Sequence, residues 1–249
     1  MNGSYASFIP NGIQYPDLAG KVAVVTGGSR GLGAASAQAL AKNGVSVAVV
    51  GRNQNAIDAT VNRIVSTGGQ AIGVAADCTV EADVALLHDR VANELGLVDI
   101  LVVFAGGTGM PVATAKETIP HWREVIETDL TSTFLTISTF LPDMMAQQSG
   151  AIITMSSAAA RQAARSSAAY AAAKSGVIAL SRHLAGEFAK AGIRVNCIAP
   201  SAVENEKMRT WVSAEDRQAL AETFPLRRIG QPEDVAAATL FSLLLPHRG

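Results

Sequence analysis

At 249 residues, with 49% hydrophobic and only 16% charged residues, the chain is long enough for one large α/β domain with a sizeable core. Its formal net charge of −1 excludes a global field that would draw nucleic acid or an anionic membrane, and neither partner is expected. The charged fraction lies below the roughly 25% of ordinary domains, which points to much buried surface, some of it between subunits, and so to a homodimer or homotetramer.

Residues 1–20 lack a basic segment followed by an apolar one, so they read as an irregular N-terminal extension rather than a secretory signal. From residue 21 onward, strands and helices alternate. "KVAVVTGG" (21–28) is a buried strand ending in glycines, and "RGLGAASAQALAKNG" (30–44) has helical periodicity with a stop at Gly44. "VSVAVVG" (45–51) is a strand; residues 53–69 form a helix closed by Gly68 and Gly69; "QAIGVAAD" (70–77) is a strand. Residues 79–96 form a helix with Thr79 as its N-cap, and "DILVVFAG" (99–106) is the fourth strand. Residues 119–148 predict one long helix broken near Pro142. "GAIITMSS" (150–157), a long helix over roughly 167–191, "IRVNCIAP" (193–200), a short helix over 214–222 and a last helix opened by Pro232 complete the series.

These strands are continuously apolar rather than alternating, as suits strands covered by helices on both faces. No repeat or low-complexity linker divides the chain, so residues 21–249 read as a single α/β domain with a doubly wound parallel sheet. No apolar run is long enough for a transmembrane helix. Cys78 and Cys197 stand alone in apolar runs, so a reducing cytoplasm is expected rather than a disulfide framework. His88, His121, His183 and His247 are scattered, without ligand spacing, and no metal site is expected.

Three places carry chemistry. "TGGSRGLG" joins the first strand to the first helix, with glycines at 27, 28, 31 and 33 that let backbone amides approach a pyrophosphate at a helix N-terminus. At the end of the second strand, where an acidic residue would hold the ribose of NAD, stand Gly51, Arg52 and Asn53. Arg52, helped by Arg30, suits a 2′-phosphate, so the expected cofactor is NADP, with NAD also possible. Asp77, ending the third strand, can accept a hydrogen bond from the adenine amino group. Third, Ser157 ends the fifth strand, and Tyr170 and Lys174 lie one helical turn apart thirteen residues later. That strand edge is where ligands bind in open parallel sheets.

Together with "FAGG", "MSS", "YAAAK", "GIRVNCIAP" and "PLRRIGQPEDVA", these motifs make the chain resemble the short-chain dehydrogenase/reductase family, over about Leu18 to Leu245. The nearest flavour is its 3-oxoacyl-carrier-protein reductase-like branch. The resemblance implies a Rossmann fold and hydride transfer between a nicotinamide and a ketone or secondary alcohol, with a 3-oxoacyl thioester among the candidates. It implies Tyr170 as acid or base, Ser157 on the substrate oxygen, and Lys174 on the nicotinamide ribose, lowering the tyrosine pKa. It also places Gly27, Ser29, Arg30, Gly31, Leu32, Gly33, Arg52, Asn53, Asp77, Cys78, Ala105, Gly106, Tyr170, Lys174, Pro200 and Val203 at the cofactor.

The chain departs from the family pattern at Phe104, where an asparagine amide is usual, and at Asp129, which replaces an asparagine that steadies a water relay behind the lysine. Ser201 follows Pro200 in place of a glycine, and Asn205 stands where a cofactor-contacting threonine is usual. The last sheet strand of the family is apparently missing after "LFSLLLPHRG". Residues 201–224 read as a substrate lid, with Met208, Trp211 and Phe224 as an apolar lining. Arg161 and Arg165 flank the pocket entrance by sequence; they read chiefly as a solvated face, with contact to an anionic substrate or carrier as the alternative. Two other readings stand beside the reductase: a catalytically weak dinucleotide-binding sensor or assembly protein, and an isomerase or dehydratase on the same scaffold.

Overall fold

Six apolar segments pair side by side in a computed structural model that describes residues 15–107 and 110–244, the side chains of Lys207 and Trp211 excepted. They are β1 (Val22–Thr26), β2 (Ser46–Gly51), β3 (Gln70–Ala75), β4 (Ile100–Val103), β5 (Gly150–Met155) and β6 (Ile193–Ile198). All pairs are parallel, in the order β3-β2-β1-β4-β5-β6. The order reverses beside β1, so β1 and β4 diverge to opposite sides and leave a crevice at their C-terminal ends.

The register explains the unbroken apolar runs. Val24 lies opposite Ala48 and Leu101, Leu101 opposite Ile152, and Ile152 opposite Val195. This row packs on Val84 and Leu87 of α3 (Glu81–Glu94) and on Ile137 and Phe140 of α5 (Ser132–Gln147). Because side chains alternate along a strand, the neighbouring row of Val25, Val49, Val102 and Ile153 faces the other way. It meets Leu40 of α1 (Gly31–Lys42), Ile57 of α2 (Gln54–Ser66) and Leu243 of α9 (Pro232–Leu243). Each such fully buried Leu or Ile contributes about 1.5–3 kcal/mol.

Several boundaries differ from the sequence expectation. Packing begins before Lys21: Pro16–Leu18 form a 3-10 turn, Leu18 is buried in the core, and the Tyr15 amide donates to Asn43 Oδ1 at 2.8 Å. Thr79 does not cap α3, because its hydroxyl donates to Asp77 Oδ1 at 2.8 Å and the N-cap falls on Val80. The long helix is not broken at Pro142, which lies within α5. Its discontinuity comes earlier, as a π-turn over Glu127–Thr131 between α4 (Ile119–Ile126) and α5. A further helix, α7 (Glu206–Trp211), precedes α8 (Ala214–Glu222) in the lid segment. The 21-residue α6 (Ala168–Phe188) lies against α4 and β6.

Among the described residues β6 forms one edge of the sheet. Its Arg194 donates to the carbonyls of Ser242 at 2.8 Å and Leu243 at 2.7 Å, and Asn196 Nδ2 donates to Ser242 at 3.1 Å. The last carbonyls of α9 lack helical partners, so these donors both satisfy and anchor its C-terminus.

The turn from β1 into α1 allows no side chain at Gly33, where a Cβ would stand 2.2 Å from the carbonyl oxygen of Gly27. Gly33→Ala therefore forces backbone apart, and overpacking of this kind costs about 3 kcal/mol. Thermal unfolding should show Tm falling by about 6–12 °C; an unchanged Tm would show that the turn relaxes freely.

Candidate active site

The C-terminal ends of β1, β4 and β5 bring the predicted residues to one edge. Ser157 follows β5, and its hydroxyl accepts from the Ala159 amide at 3.2 Å, capping a 3-10 turn over Ala158–Ala160. The Ala158 amide donates to the Pro200 carbonyl at 2.8 Å, tying this turn to the segment after β6. Ser167 caps α6 by accepting from the Tyr170 amide at 3.1 Å, which places the tyrosine in the first turn of the helix. The Ser157 hydroxyl lies near enough to the Tyr170 phenol to act on its pKa.

Lys174 lies one turn further along α6. Its Nζ is 5.6 Å from the centre of the Tyr170 ring. It donates to the Met155 carbonyl at 3.1 Å and lies 2.9 Å from Asp129 Oδ1. Both ends of this pair are buried, with side-chain exposures of 3% for Lys174 and 0% for Asp129. The same Asp129 oxygen accepts from the Gly107 amide at 2.7 Å. At Gly106, in the left-handed region with φ +123°, a Cβ would lie 2.5 Å from that oxygen. The Lys174–Asp129 pair thus joins the loop after β4, the end of β5 and helix α6.

The π-turn aims Asp129 inward. Extra residues in a helical turn loosen the carbonyl ladder, and here hydroxyls satisfy it. Thr128 Oγ1 donates to the Glu124 carbonyl at 2.8 Å and Ser132 Oγ to the Thr128 carbonyl at 2.7 Å, while Thr136 Oγ1 donates to Ser132 at 2.8 Å. Asp129 was expected behind Lys174, in place of an asparagine that steadies a water relay; the structure puts its carboxylate in direct contact with the lysine. Gly107, Ser156 and Ser167 were not singled out from the sequence. Ser156 is buried and donates to the Lys174 carbonyl at 2.7 Å, fixing α6 against β5. The "TDLTST" run (128–133) was the visible sign of the π-turn, since such hydroxyls bond back to helical carbonyls.

The expected fall of the Tyr170 pKa does not occur. Burial of the phenol is the largest influence and raises it; the Asp129 carboxylate raises it further, against a lowering hydrogen bond from Ser157. The Lys174 ammonium is already matched by Asp129, so little of its positive field remains for the phenol.

At the other end of the crevice, no side chain caps α1, whose N-cap residue Arg30 has an extended backbone. A Cβ on Gly31 would meet nothing within 4 Å, so the helix N-terminus faces open space. Ser29 lies against Gly51, where a Cβ would come 2.7 Å from its hydroxyl. Arg30 and Arg52 are 61% and 75% exposed, in long contacts of 3.8 Å with Glu206 of α7 and with Asp77. An uncapped helix start beside two accessible guanidiniums fits a phosphorylated dinucleotide.

Three predicted residues have other uses for their side chains. Asn53 caps α2, accepting from the Ala56 amide at 2.9 Å. Asp77 Oδ1 accepts from both the amide and the hydroxyl of Thr79, at 3.0 and 2.8 Å, and these bonds lower its pKa. Cys78 sits in the core, and its thiol is pushed up to about 11 by burial. Phe104 packs partly buried in the core, and its amide donates to Thr26 Oγ1 at 3.2 Å, so backbone braces the strand ends where an amide side chain was expected.

Beyond β6, Val203 bridges to Gly230, and the Gly230 amide donates to the Ala202 carbonyl at 3.0 Å. Pro200, Ser201, Val203, Phe224 and Leu226, with Val235 of α9, line an open cavity of about 620 Å³. Of the three residues expected to form an apolar lining, Phe224 lines this cavity, Met208 does not, and the Trp211 side chain lies outside the described residues.

A family model described as short chain dehydrogenase matches residues 21–216. The chain belongs to the short-chain dehydrogenase/reductase family. It is 38% identical over 224 residues to a cis-4-hydroxycyclohexanecarboxylate dehydrogenase of Sinomonas cyclohexanicum, covering 90% of this chain and 89% of that protein. It is 34% identical over 224 residues to a 3-oxoacyl-[acyl-carrier-protein] reductase of Chlamydia pneumoniae, covering 90% of each. A solved structure of 7α-hydroxysteroid dehydrogenase, complexed with NADH and 7-oxo glycochenodeoxycholic acid, superposes with a TM-score of 0.85. That match is 34% identical and covers 90% of this chain and 87% of that one. As a short-chain dehydrogenase/reductase, the protein is an oxidoreductase acting on CH–OH and C=O groups with a nicotinamide cofactor. No helix among the described residues is long and apolar enough to cross a membrane.

Asp129→Asn keeps the side chain's shape and removes the charge that opposes phenolate formation. The alkaline limb of alcohol oxidation should move to lower pH, with the maximal rate within about tenfold of wild type because Asp129 transfers no proton. Rate–pH profiles at saturating cofactor check this. A profile that stays in place would remove Asp129 from the control of Tyr170.

Proposed function

We propose that the protein is an NADPH-dependent reductase of ketones, or in reverse a dehydrogenase of secondary alcohols, with 3-oxoacyl thioesters among its candidate substrates. The observation that carries this reading is the convergence of the Ser157 hydroxyl on the Tyr170 phenol, one helical turn from a buried lysine. When bound, the nicotinamide supplies or accepts the hydride at the carbinol carbon. Ser157 holds the substrate oxygen within reach of Tyr170. In reduction the Tyr170 hydroxyl gives its proton to that oxygen; in oxidation the phenolate takes it back. A raised phenol pKa keeps Tyr170 protonated, so the acid role is the one available at neutral pH.

Lys174 and Asp129 hold the geometry behind the phenol, and Lys174 is the residue proposed to meet the nicotinamide ribose. Gly27, Ser29, Gly31, Leu32 and Gly33 would cradle the pyrophosphate, and Arg30 and Arg52 the 2′-phosphate. Ala105 and Gly106 would line the cofactor's path along the crevice. Pro200 and Val203 would meet the carboxamide through their backbone. The preference for NADPH is supported by Gly51, which brings no carboxylate to the ribose, and by the accessible Arg52 beside it. A cytoplasmic homo-oligomer is part of this proposal, supported by the apolar side chains of Phe134 and Met145, 54% and 42% exposed on α5.

The test is consumption of NADPH and NADH against a panel of ketones and 3-oxoacyl thioesters. Tyr170→Phe should lower turnover by at least about a hundredfold while cofactor binding, followed by fluorescence, persists. Retention of more than about a tenth of the rate would overturn the acid assignment. Arg52→Ala should raise KM for NADPH about tenfold, the worth of one accessible charge-assisted contact, and leave NADH nearly unaffected. Equal effects on both cofactors would remove Arg52 from a 2′-phosphate site.

A further inference from the structure

Between Asp143 and Glu187 the chain has no acidic residue, yet it carries Arg161, Arg165, Lys174 and Arg182. Lys174 is matched by Asp129. Arg161 and Arg165 are exposed on the segment that connects Ser157 to Tyr170. Neither has a hydrogen bond or ion pair through its side chain to any described residue. This sets them apart from Arg30, Arg52, Arg90, Arg209, Arg227 and Arg228, each of which has a carboxylate within 4.0 Å. Glu124 of α4 and Glu127 of the π-turn form no bridge to them either, although α4 packs on α6.

The segment is anchored at both ends. Ser157 caps the 3-10 turn that runs into Arg161, whose amide donates to the Ala158 carbonyl at 2.9 Å. Ser175 Oγ donates to the Ala160 carbonyl at 3.3 Å, fastening the same turn to α6. Ser167 fixes the other end as the cap of α6. At about 2 Å of rise per residue in such a turn, the Arg161 backbone lies within about 8 Å of Ser157. Arg161 and Arg165 are thus carried on the segment that runs between the groups proposed to hold and to protonate the substrate oxygen.

We infer that Arg161 and Arg165 select substrates bearing an anionic group, a carboxylate or its equivalent, on the body of the ketone or secondary alcohol. A guanidinium fork matches a carboxylate in two parallel hydrogen bonds. In a segment without a competing acid, these guanidiniums are left for the substrate's own charge. This inference rests on the oxidoreductase reading of the same site and narrows it to one substrate class.

The experiment compares 4-oxocyclohexanecarboxylate with its neutral methyl ester, using wild type and Arg161→Ala/Arg165→Ala at low ionic strength and saturating NADPH. The wild-type kcat/KM ratio of acid to ester should be about ten, falling to about one in the double variant and, for wild type, in high salt. Calorimetric binding of the carboxylate to the cofactor-loaded proteins is the second readout, with affinity about tenfold weaker in the variant. A ratio near one in wild type, or the same ratio in both proteins, overturns the inference while leaving the oxidoreductase reading in place. Arginine-dependent binding of the carboxylate without turnover of either compound supports the selection of charge and excludes this cyclohexanone as the reacting ketone. Carboxylate binding that ignores both arginines overturns the inference, whatever the turnover.

Discussion

A buried ion pair holds the catalytic edge together. Lys174 and Asp129 meet at 2.9 Å with almost no exposure, and each is held by backbone as well, Lys174 to Met155 and Asp129 to Gly107. Two charges withdrawn from water are tolerated only when their partners are this complete. The pair therefore constrains everything it touches: the loop after β4 must come close, glycine must stand at 106, and α6 must lie in one register on β5. Ser156, bonded to the Lys174 carbonyl, closes the same junction from the strand side. The arrangement also sets the electrostatics of the phenol, since a lysine whose charge is matched lends little of it to a neighbour.

The two halves of the crevice are built on different principles. Around Tyr170 the polar groups are buried and mutually satisfied, so their positions are set before any ligand arrives. Around Arg30 and Arg52 they are exposed and make only long contacts of 3.8 Å with Glu206 and Asp77. Surface pairs of this kind contribute roughly 0–1 kcal/mol, so a phosphate displaces them readily. On the proposed reading, rigidity is concentrated where a proton would travel a hydrogen bond's length, and looseness where a large ligand would enter and leave.

How much of this was legible in the residues follows from what local pattern can encode. Unbroken valine-rich runs between helical segments specified a parallel sheet covered on both faces, and all six strands appear where those runs lie. The spacing of Tyr170 and Lys174 specified one helix face, and Ser157 a strand end; their meeting follows from topology. What was hidden is tertiary. Apolar periodicity does not register a single additional residue in a turn, so the helix discontinuity was assigned to Pro142, the conspicuous breaker, rather than to the Thr-rich stretch at 128–133. Nor does a sequence show that Asp129, expected behind Lys174 forty-five residues away, meets it directly in a buried pair, so the Tyr170 pKa was expected to fall, if less than beside an asparagine, and it is raised instead. Thr79 was likewise read as a helix cap because its partner Asp77, two residues earlier, competes for the same hydroxyl.

The π-turn has a geometric consequence of its own. A helix advances by about 100° per residue, so one added residue rotates all that follows by that angle while barely bending the axis. The segment from Ile119 to Gln147 is thus two helices on one rod, out of phase with each other. The first presents Val125 to α6, and the second presents Ile137, Phe140 and Met144 to the sheet. At the seam neither face is dominant, and an ionised side chain can occupy the interior without displacing an apolar one from either row. The fold accommodates a buried charge through a local change of helical phase, leaving the hydrophobic rows on either side complete.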